Sequence, residues 1–451
     1  MNSGASASLP SNAVPYIFEK FNMVDDSQSS LPTSLFLLGY VVGPSIWSPL
    51  SETVGRRPIL LYTFIVFFFF TLACALAPGW STLLFFRFVC GCMGAAPQTV
   101  VGGVYADIFE ARSRGRVMAI YMAAASFGPI LGPIISGFTS EYGWRWTFWV
   151  ELMIAGFTLV GLLFVPETFG PVLLRRRAAM LSKMSGRHIS APSSSIDTDL
   201  TTIFLRPLYM LISEPIIAAT SIYVGIVYAL VFFYFQAYPV IFPEVYGFSI
   251  QMTSLALIPL GIGACSTSLV AIYWDLKYET ALSKKKSWAF PFSPEVHRLP
   301  ISCLGGVTIP VSLFWLAWTA TPSIHWIVPT LSGLLFGFGY QTIFTSLLTY
   351  VTDAYKIYSA SALASSVIIR SILGAALPVA AKPMYASLGV GWATSLVGFV
   401  SVACVPIPYV LLWKGGWIRE KSKFCQMLVK DELGGSPTGG EESHEQQREE
   451  C

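Results

Sequence analysis

Gly128-Pro-Ile-Leu-Gly-Pro133 sits inside the apolar run from Val117 to Phe138. Two prolines and two glycines in six residues would break a helix in a water-soluble domain, because each proline removes a backbone donor and clashes with the preceding turn. In lipid the same residues survive where neighbouring helices re-satisfy the freed carbonyls. Gly128 and Gly132, four apart, share one face and let a second backbone approach closely. The stretch therefore reads as a bent, tightly packed helix. A kinked helix with a purely structural duty fits the same residues, so the surrounding chain has to decide.

That chain has 451 residues, 54% of them hydrophobic and only 12% charged. A soluble protein of this length has too little interior to hide so much apolar surface, so the solvent is largely lipid. Crossing a hydrocarbon core of about 30 Å takes about 20 apolar residues in a helix. Eleven runs qualify, at roughly 31–50, 58–77, 81–102, 117–138, 144–165, 215–236, 249–273, 300–321, 324–348, 359–385 and 391–413. The expected class is an all-α polytopic membrane protein. No charged segment followed by an apolar core opens the chain, so a secretory leader is not expected.

Lys and Arg concentrate in cytoplasmic loops. With the loop at 51–57 inside, 23 of the 28 basic residues fall on the same side, which puts the C-terminus in the cytoplasm. Eleven crossings then leave Met1 outside. Residues 3–9 are too short to cross and 10–30 read as an outer loop, so a first helix is expected to have been cut from an ancestral twelve. The resulting division is a first-helix remnant and outer loop at 1–30, a helix bundle at 31–165, a cytoplasmic central loop at 166–214, a second bundle at 215–413 and a disordered cytoplasmic tail at 414–451. Six of the eight cysteines lie in apolar runs and read as small buried hydrophobes, with no spacing that suggests a metal site or a disulfide framework.

Trp47-Ser-Pro-Leu-Ser-Glu52 runs into Gly55-Arg-Arg-Pro58. Glu52 can cap or salt-bridge across helix ends, while Arg56 and Arg57 face anionic lipid or helix C-termini. A plain positive-inside anchor is the other reading. Arg87 lies six residues inside an apolar run, where a central Arg costs about 2.5–3.5 kcal/mol on insertion scales. It needs a cavity or partner, unless it snorkels to the outer surface or acts as structural glue, and Arg370 poses the same question. Glu151 can pair with Arg145 or titrate. Tyr228 lies nearest the middle of an aromatic helix and is the better cavity candidate among its tyrosines. Tyr340, Gln341 and Thr345 are assigned to the cavity too, the last two sharing one face.

The order of these elements resembles the major facilitator superfamily over residues 30–425. The Ser51-Glu-Thr-Val-Gly-Arg-Arg-Pro58 loop, Arg87-Phe-Val-Cys-Gly91 with Gly94-Ala-Ala-Pro-Gln98, and Trp144-Arg-Trp-Thr-Phe-Trp149 carry the likeness, as do Phe314-Trp-Leu-Ala-Trp318 and Asp353-Ala-Tyr-Lys-Ile-Tyr358. They look like its fungal drug:proton antiporter branch, often described as drug or polyamine exporters. The stretch Gly128, Pro129, Gly132, Pro133 resembles the helix that the family's antiporters carry.

The resemblance implies a major facilitator fold of two pseudo-symmetric bundles, here eleven helices and a remnant of the first, with a cavity between them near the midplane. It implies secondary active export of drugs, secondary metabolites or polyamines in exchange for protons, with Arg87, Gln98, Glu151 and Arg370 as proton or cavity residues. The expected partners are the lipid bilayer, a small-molecule substrate and protons, with no nucleic acid, no cofactor beyond the proton gradient, and a monomer. The resemblance favours the plasma membrane over the vacuole. A transport-inactive truncated carrier, a membrane sensor or scaffold of the same fold, and a facilitator without coupling are the alternatives. A membrane enzyme is disfavoured, since no metal cluster, nucleophile elbow or phosphate loop is present in the sequence.

Overall fold

The computed structural model describes residues 1–23, 26–109, 111–186, 200–284, 296–355, 359–422 and 426. These residues are helical, with no strand among them. The first half holds α1 (Asn2–Ser8), α2 (Val14–Phe21), α3 (Leu31–Val54), α4 (Arg56–Ala75), α5 (Trp80–Gly94), α6 (Ala96–Ile108), α7 (Ala111–Thr139) and α8 (Trp144–Leu163). Two helices, α9 (Gly170–Ser185) and α10 (Leu200–Ser213), lie in the connection. The second half holds α11 (Pro215–Tyr246), α12 (Ile250–Leu255), α13 (Ile258–Ser283), α14 (Leu299–Thr319), α15 (Ile327–Tyr355), α16 (Ser359–Cys404) and α17 (Pro406–Lys421).

Ten helical segments among the described residues are long and apolar enough to cross a bilayer. The last of them, Ser361–Arg419, holds two of the eleven expected runs. Its first helix alone, α16, has 46 residues. At 1.5 Å per residue that is about 69 Å, more than twice a hydrocarbon core. The helix breaks at Gly389, whose φ of 71° and ψ of 170° suit a residue without a side chain.

Three boundaries differ from the sequence reading. Residues 10–30 are not simply a loop: Leu9–Asn12 and Asp26–Ser30 are 3₁₀ turns and Val14–Phe21 is helix. The central loop carries α9 and α10, and the last helix runs past residue 413 to Lys421. Residues 427–451, read as a disordered tail, lie outside the described residues.

Each half is held by a close helix pair. Gly39 and Gly91 bring α3 against α5, where a Cβ on Gly91 would collide with the Phe36 carbonyl. Gly263 and Gly337 do the same for α13 and α15, with the carbonyls of Leu334 and Leu260 in the way of a Cβ. Small residues permit this approach where lipid gives helices no hydrophobic incentive to associate. The halves meet along α3 against α16 and along α7 against α13. Large apolar side chains such as Phe157, Ile212 and Leu269 point outward, as expected of a lipid-facing surface.

The decisive stretch packs against the start of the chain. A Cβ on Gly128 would strike the Met1 carbonyl, and one on Gly132 would strike Ser8 Oγ and the Ala5 carbonyl. Pro133 supplies no N–H to the Pro129 carbonyl four residues back, and the Ser8 hydroxyl donates to that carbonyl at 2.6 Å. Asn12 Nδ2 donates to the Pro133 carbonyl at 2.9 Å and to Ser254 Oγ of α12 at 2.8 Å, tying the two halves together. At the same end Ser34 Oγ donates to the Ala375 carbonyl at 2.9 Å.

Candidate functional site

Between the halves lies a cavity of about 240 Å³. Gln98 of α6, Tyr121 and Ser126 of α7, Tyr228 of α11, Tyr340 and Phe344 of α15 and Arg370 of α16 line it, with Ser3 and Gly4 of α1 closing one wall. Side chains from both halves thus face a shared space. Two hydrogen bonds bridge it: Ser126 Oγ donates to Gln341 Oε1, and Arg370 Nη2 donates to Gln98 Oε1. Gln341 Nε2 in turn donates to Thr345 Oγ1 at 3.4 Å. Gln341 and Thr345 are buried beside the cavity rather than on its lining, whereas Tyr228 and Tyr340 line it.

Arg370 is 8% exposed and lies midway along the first part of α16. Its guanidinium sits 5.4 Å from the Tyr228 ring centroid and 5.7 Å from that of Phe344. Its Nε has no hydrogen-bond partner, and no carboxylate is found on the cavity lining among the described residues.

Arg87 occupies a different place. At 1% exposed it does not snorkel, and it is absent from the cavity lining. Pro10 deprives the Ser6 carbonyl, four residues earlier, of its helical donor, and Arg87 Nη2 donates there at 2.6 Å. Nη1 donates to Ser6 Oγ at 3.0 Å and Nε to the Pro32 carbonyl at 3.2 Å. The ring of Phe36 lies 4.5 Å beneath the guanidinium. Arg87 therefore ties the end of α1 to α3 and α5.

Glu151 of α8 is 4% exposed, and neither carboxylate oxygen finds a hydrogen-bond partner within ordinary distance. The Ser6 hydroxyl and the Arg87 guanidinium are its polar neighbours. The pairing with Arg145 is not formed. Arg145 is exposed, donates to the Ala77 carbonyl at 3.1 Å and lies over the Trp144 ring at 4.9 Å.

At the end of the bundle that carries the basic loops, Gly55 adopts φ 113° between α3 and α4. The first N–H groups of α4 have no helical acceptors, and the Glu167 carboxylate takes them. Arg56 N donates to Oε1 at 3.0 Å and Arg57 N to Oε2 at 3.2 Å. A carboxylate at a helix N-terminus also meets the positive end of the macrodipole. Arg56 Nε lies 3.4 Å from Asp107 Oδ2, its Nη1 donates to Ser51 Oγ at 2.7 Å, and its guanidinium covers the Phe169 ring at 4.9 Å. Arg57 Nη2 donates to the Leu163 carbonyl at 2.9 Å. The Glu52 side chain, to which the sequence reading assigns the cap, lies outside the described residues. Glu167 is more than a hundred residues away, and its place in the sequence gives no signal of the role. In the second half the corresponding corner is closed by Asp275, which accepts from Arg298 Nη2 at 2.7 Å and from Nε at 3.1 Å. His297 lies 3.3 Å from the same carboxylate and stacks on Tyr278.

The sequence profile described as Major Facilitator Superfamily matches residues 1–378. The chain is 39% identical over 411 residues to the "Ascochitine biosynthesis cluster MFS transporter" of Didymella fabae, covering 88% of this chain and 78% of the relative. It is 40% identical over 407 residues to the "MFS-type efflux pump MFS2" of Trichophyton rubrum, covering 88% and 67%. Among solved structures, the proton:xylose symporter XylE superposes with a TM-score of 0.66 at 18% identity over 92% of both chains, a likeness of fold alone. The chain belongs to the major facilitator superfamily, as a multi-pass membrane transporter rather than an enzyme.

Proposed function

We propose that the chain exports small organic compounds in exchange for protons by alternating access, with drugs or secondary metabolites as the substrate class and no cofactor beyond the gradient. The observation that carries this reading is the polar and aromatic cavity shared by the two halves, bridged at Gln98–Arg370 and Ser126–Gln341. These links are few and local, so rocking of one half against the other exchanges them without unpacking either bundle. The links Asn12–Ser254 and Ser34–Ala375 close one end of the gap in this state. A proton or a substrate drives the exchange only through different affinity for the two states.

Glu151 supports the coupling. A buried carboxylate without a hydrogen-bond partner, beside an arginine already engaged by carbonyls, holds a proton in one arrangement and releases it when Arg87 shifts. In this reading the chain acts as a monomer in the plasma membrane with its C-terminus in the cytoplasm, consistent with the distribution of Lys and Arg. The test is retention of a panel of fluorescent organic compounds, neutral and anionic, by cells expressing the chain at their surface. Reduced retention that a protonophore abolishes is the expected result. Unchanged retention, with the protein confirmed at the membrane, overturns the reading.

A further inference from the structure

The cavity carries the fixed positive charge of Arg370, with no acid on its lining among the described residues. Of the five donors of the Arg370 guanidinium, one is taken by Gln98 and the Nε hydrogen has no acceptor. Tyr228 and Phe344 offer ring faces, which attract a cation but supply no counter-ion. The lining holds no Asp or Glu among the described residues, and the ion pairs Arg56–Asp107 and Arg298–Asp275 lie away from it at the basic end. A buried arginine in this setting is short of a carboxylate, with which its planar fork forms paired, charge-assisted hydrogen bonds.

Size and lining narrow the ligand. About 240 Å³ lies below the range of large drug pockets, so the ligand is compact. Tyr228, Tyr340 and Phe344 present flat apolar surface around the charged head. Rings of this kind favour offset or edge contacts with another ring. A polyamine or lipophilic cation would meet repulsion from Arg370 and find no acid to compensate it.

We infer that the cavity takes a compact aromatic monocarboxylate, its carboxylate on Arg370 and its ring among Tyr228, Tyr340 and Phe344. This rests on the carrier reading and names its substrate class. It sets aside the polyamine class that the family resemblance suggests.

The experiment uses the purified full chain and three probes of one ring system: 1-naphthoate, its methyl ester and 1-naphthylmethylammonium. Naphthoate should bind about tenfold or more tightly than either of the others, the difference expected from a charge-assisted hydrogen bond. Arg370→Gln should remove that preference, and Arg370→Lys should keep part of it. Equal binding of the three, tighter binding of the ammonium, no saturable naphthoate binding, or a preference that survives Arg370→Gln would each overturn the inference. The three-probe comparison in the unmodified chain decides the matter even where Arg370→Gln does not fold. Passage across proteoliposomes, measured separately, distinguishes the two readings. Naphthoate that binds with the stated preference but does not cross leaves the charge assignment standing and removes the carrier. Ester or ammonium that crosses while naphthoate neither binds nor crosses does the reverse.

Discussion

Ser8 donates its hydroxyl hydrogen at 2.6 Å to the carbonyl of Pro129, an acceptor that Pro133 leaves without its helical donor. The proline-rich stretch of α7 and the Ser- and Asn-containing start of the chain are thus complementary. One lacks donors and the other supplies them. Interhelical hydrogen bonds within membranes average about 0.6 kcal/mol and reach about 1.7 kcal/mol. Ser8→Ala is expected to lower stability within that range, read as a fall in the thermal midpoint of the detergent-solubilised protein. A midpoint equal to that of the unmodified chain would mean that another group serves the Pro129 carbonyl.

Gly132→Val should be costlier. The new side chain would meet Ser8 Oγ and the Ala5 carbonyl, and neither the backbone of α1 nor that of α7 can retreat without opening the contact. Overpacking of this kind costs about 1–3 kcal/mol. Gly156→Val on α8 is the matched control, since only the edge of Phe68, at 3.4 Å, stands near its Cβ position. The expected result is a larger drop in thermal midpoint for Gly132→Val than for the control. The reverse order would deny the close approach of α1.

Much of this architecture is legible in the sequence, and the reasons for the misses are specific. Apolar runs mark the crossings because lipid leaves no other place for them, and Gly128 and Gly132 show their packing role through spacing alone. The start of the chain escapes that logic. Residues 3–9 read as a remnant too short to cross and Asn12 as part of an outer loop, yet Ser3, Ser6, Ser8 and Asn12 are all buried, and Ser6, Ser8 and Asn12 spend their polarity on donors and acceptors that prolines or Arg87 leave open. Arg87 is visible as costly but its partners are not, since the Ser6 and Pro32 carbonyls lie more than fifty residues away in the chain. Arg370 is visible for the same reason, and only the fold reveals that no carboxylate among the described residues lines its cavity. A continuous helix through Gly389 would have hidden one crossing, but the sequence already separates apolar runs at 359–385 and 391–413 on either side of it.

Glu167 provides a test at the basic end. Its carboxylate receives the first two N–H groups of α4 and its own neighbours Thr168 and Phe169, so four donors depend on it. Glu167→Ala should destabilise by about 0.5–2 kcal/mol, the scale of losing a helix N-cap, and hydrogen exchange should quicken at Arg56 and Arg57 before it does in the core. Glu167→Gln keeps an acceptor but loses the charge that favours the helix N-terminus, so its effect should fall between the two. Exchange at Arg56 and Arg57 unchanged in Glu167→Ala would assign the cap elsewhere.

Glu151 separates coupling from folding. Its oxygens have no hydrogen-bond partner within ordinary distance, and glutamine has nearly the same shape, so Glu151→Gln should fold and reach the membrane like the unmodified chain. An exchange of labelled for unlabelled substrate across proteoliposomes needs only the two access states and should persist. Accumulation driven by an imposed proton gradient needs a group that carries the proton and should be lost. Arg87→Leu is expected to behave differently, because it strips the Ser6 and Pro32 carbonyls of their donor and detaches α1 from α5. Leaving a buried carbonyl without its donor costs about 1–3 kcal/mol, so exchange and accumulation should fall together with the amount of folded protein. Gradient-driven accumulation that persists in Glu151→Gln would move the proton to another residue, and its loss together with exchange would make Glu151 structural.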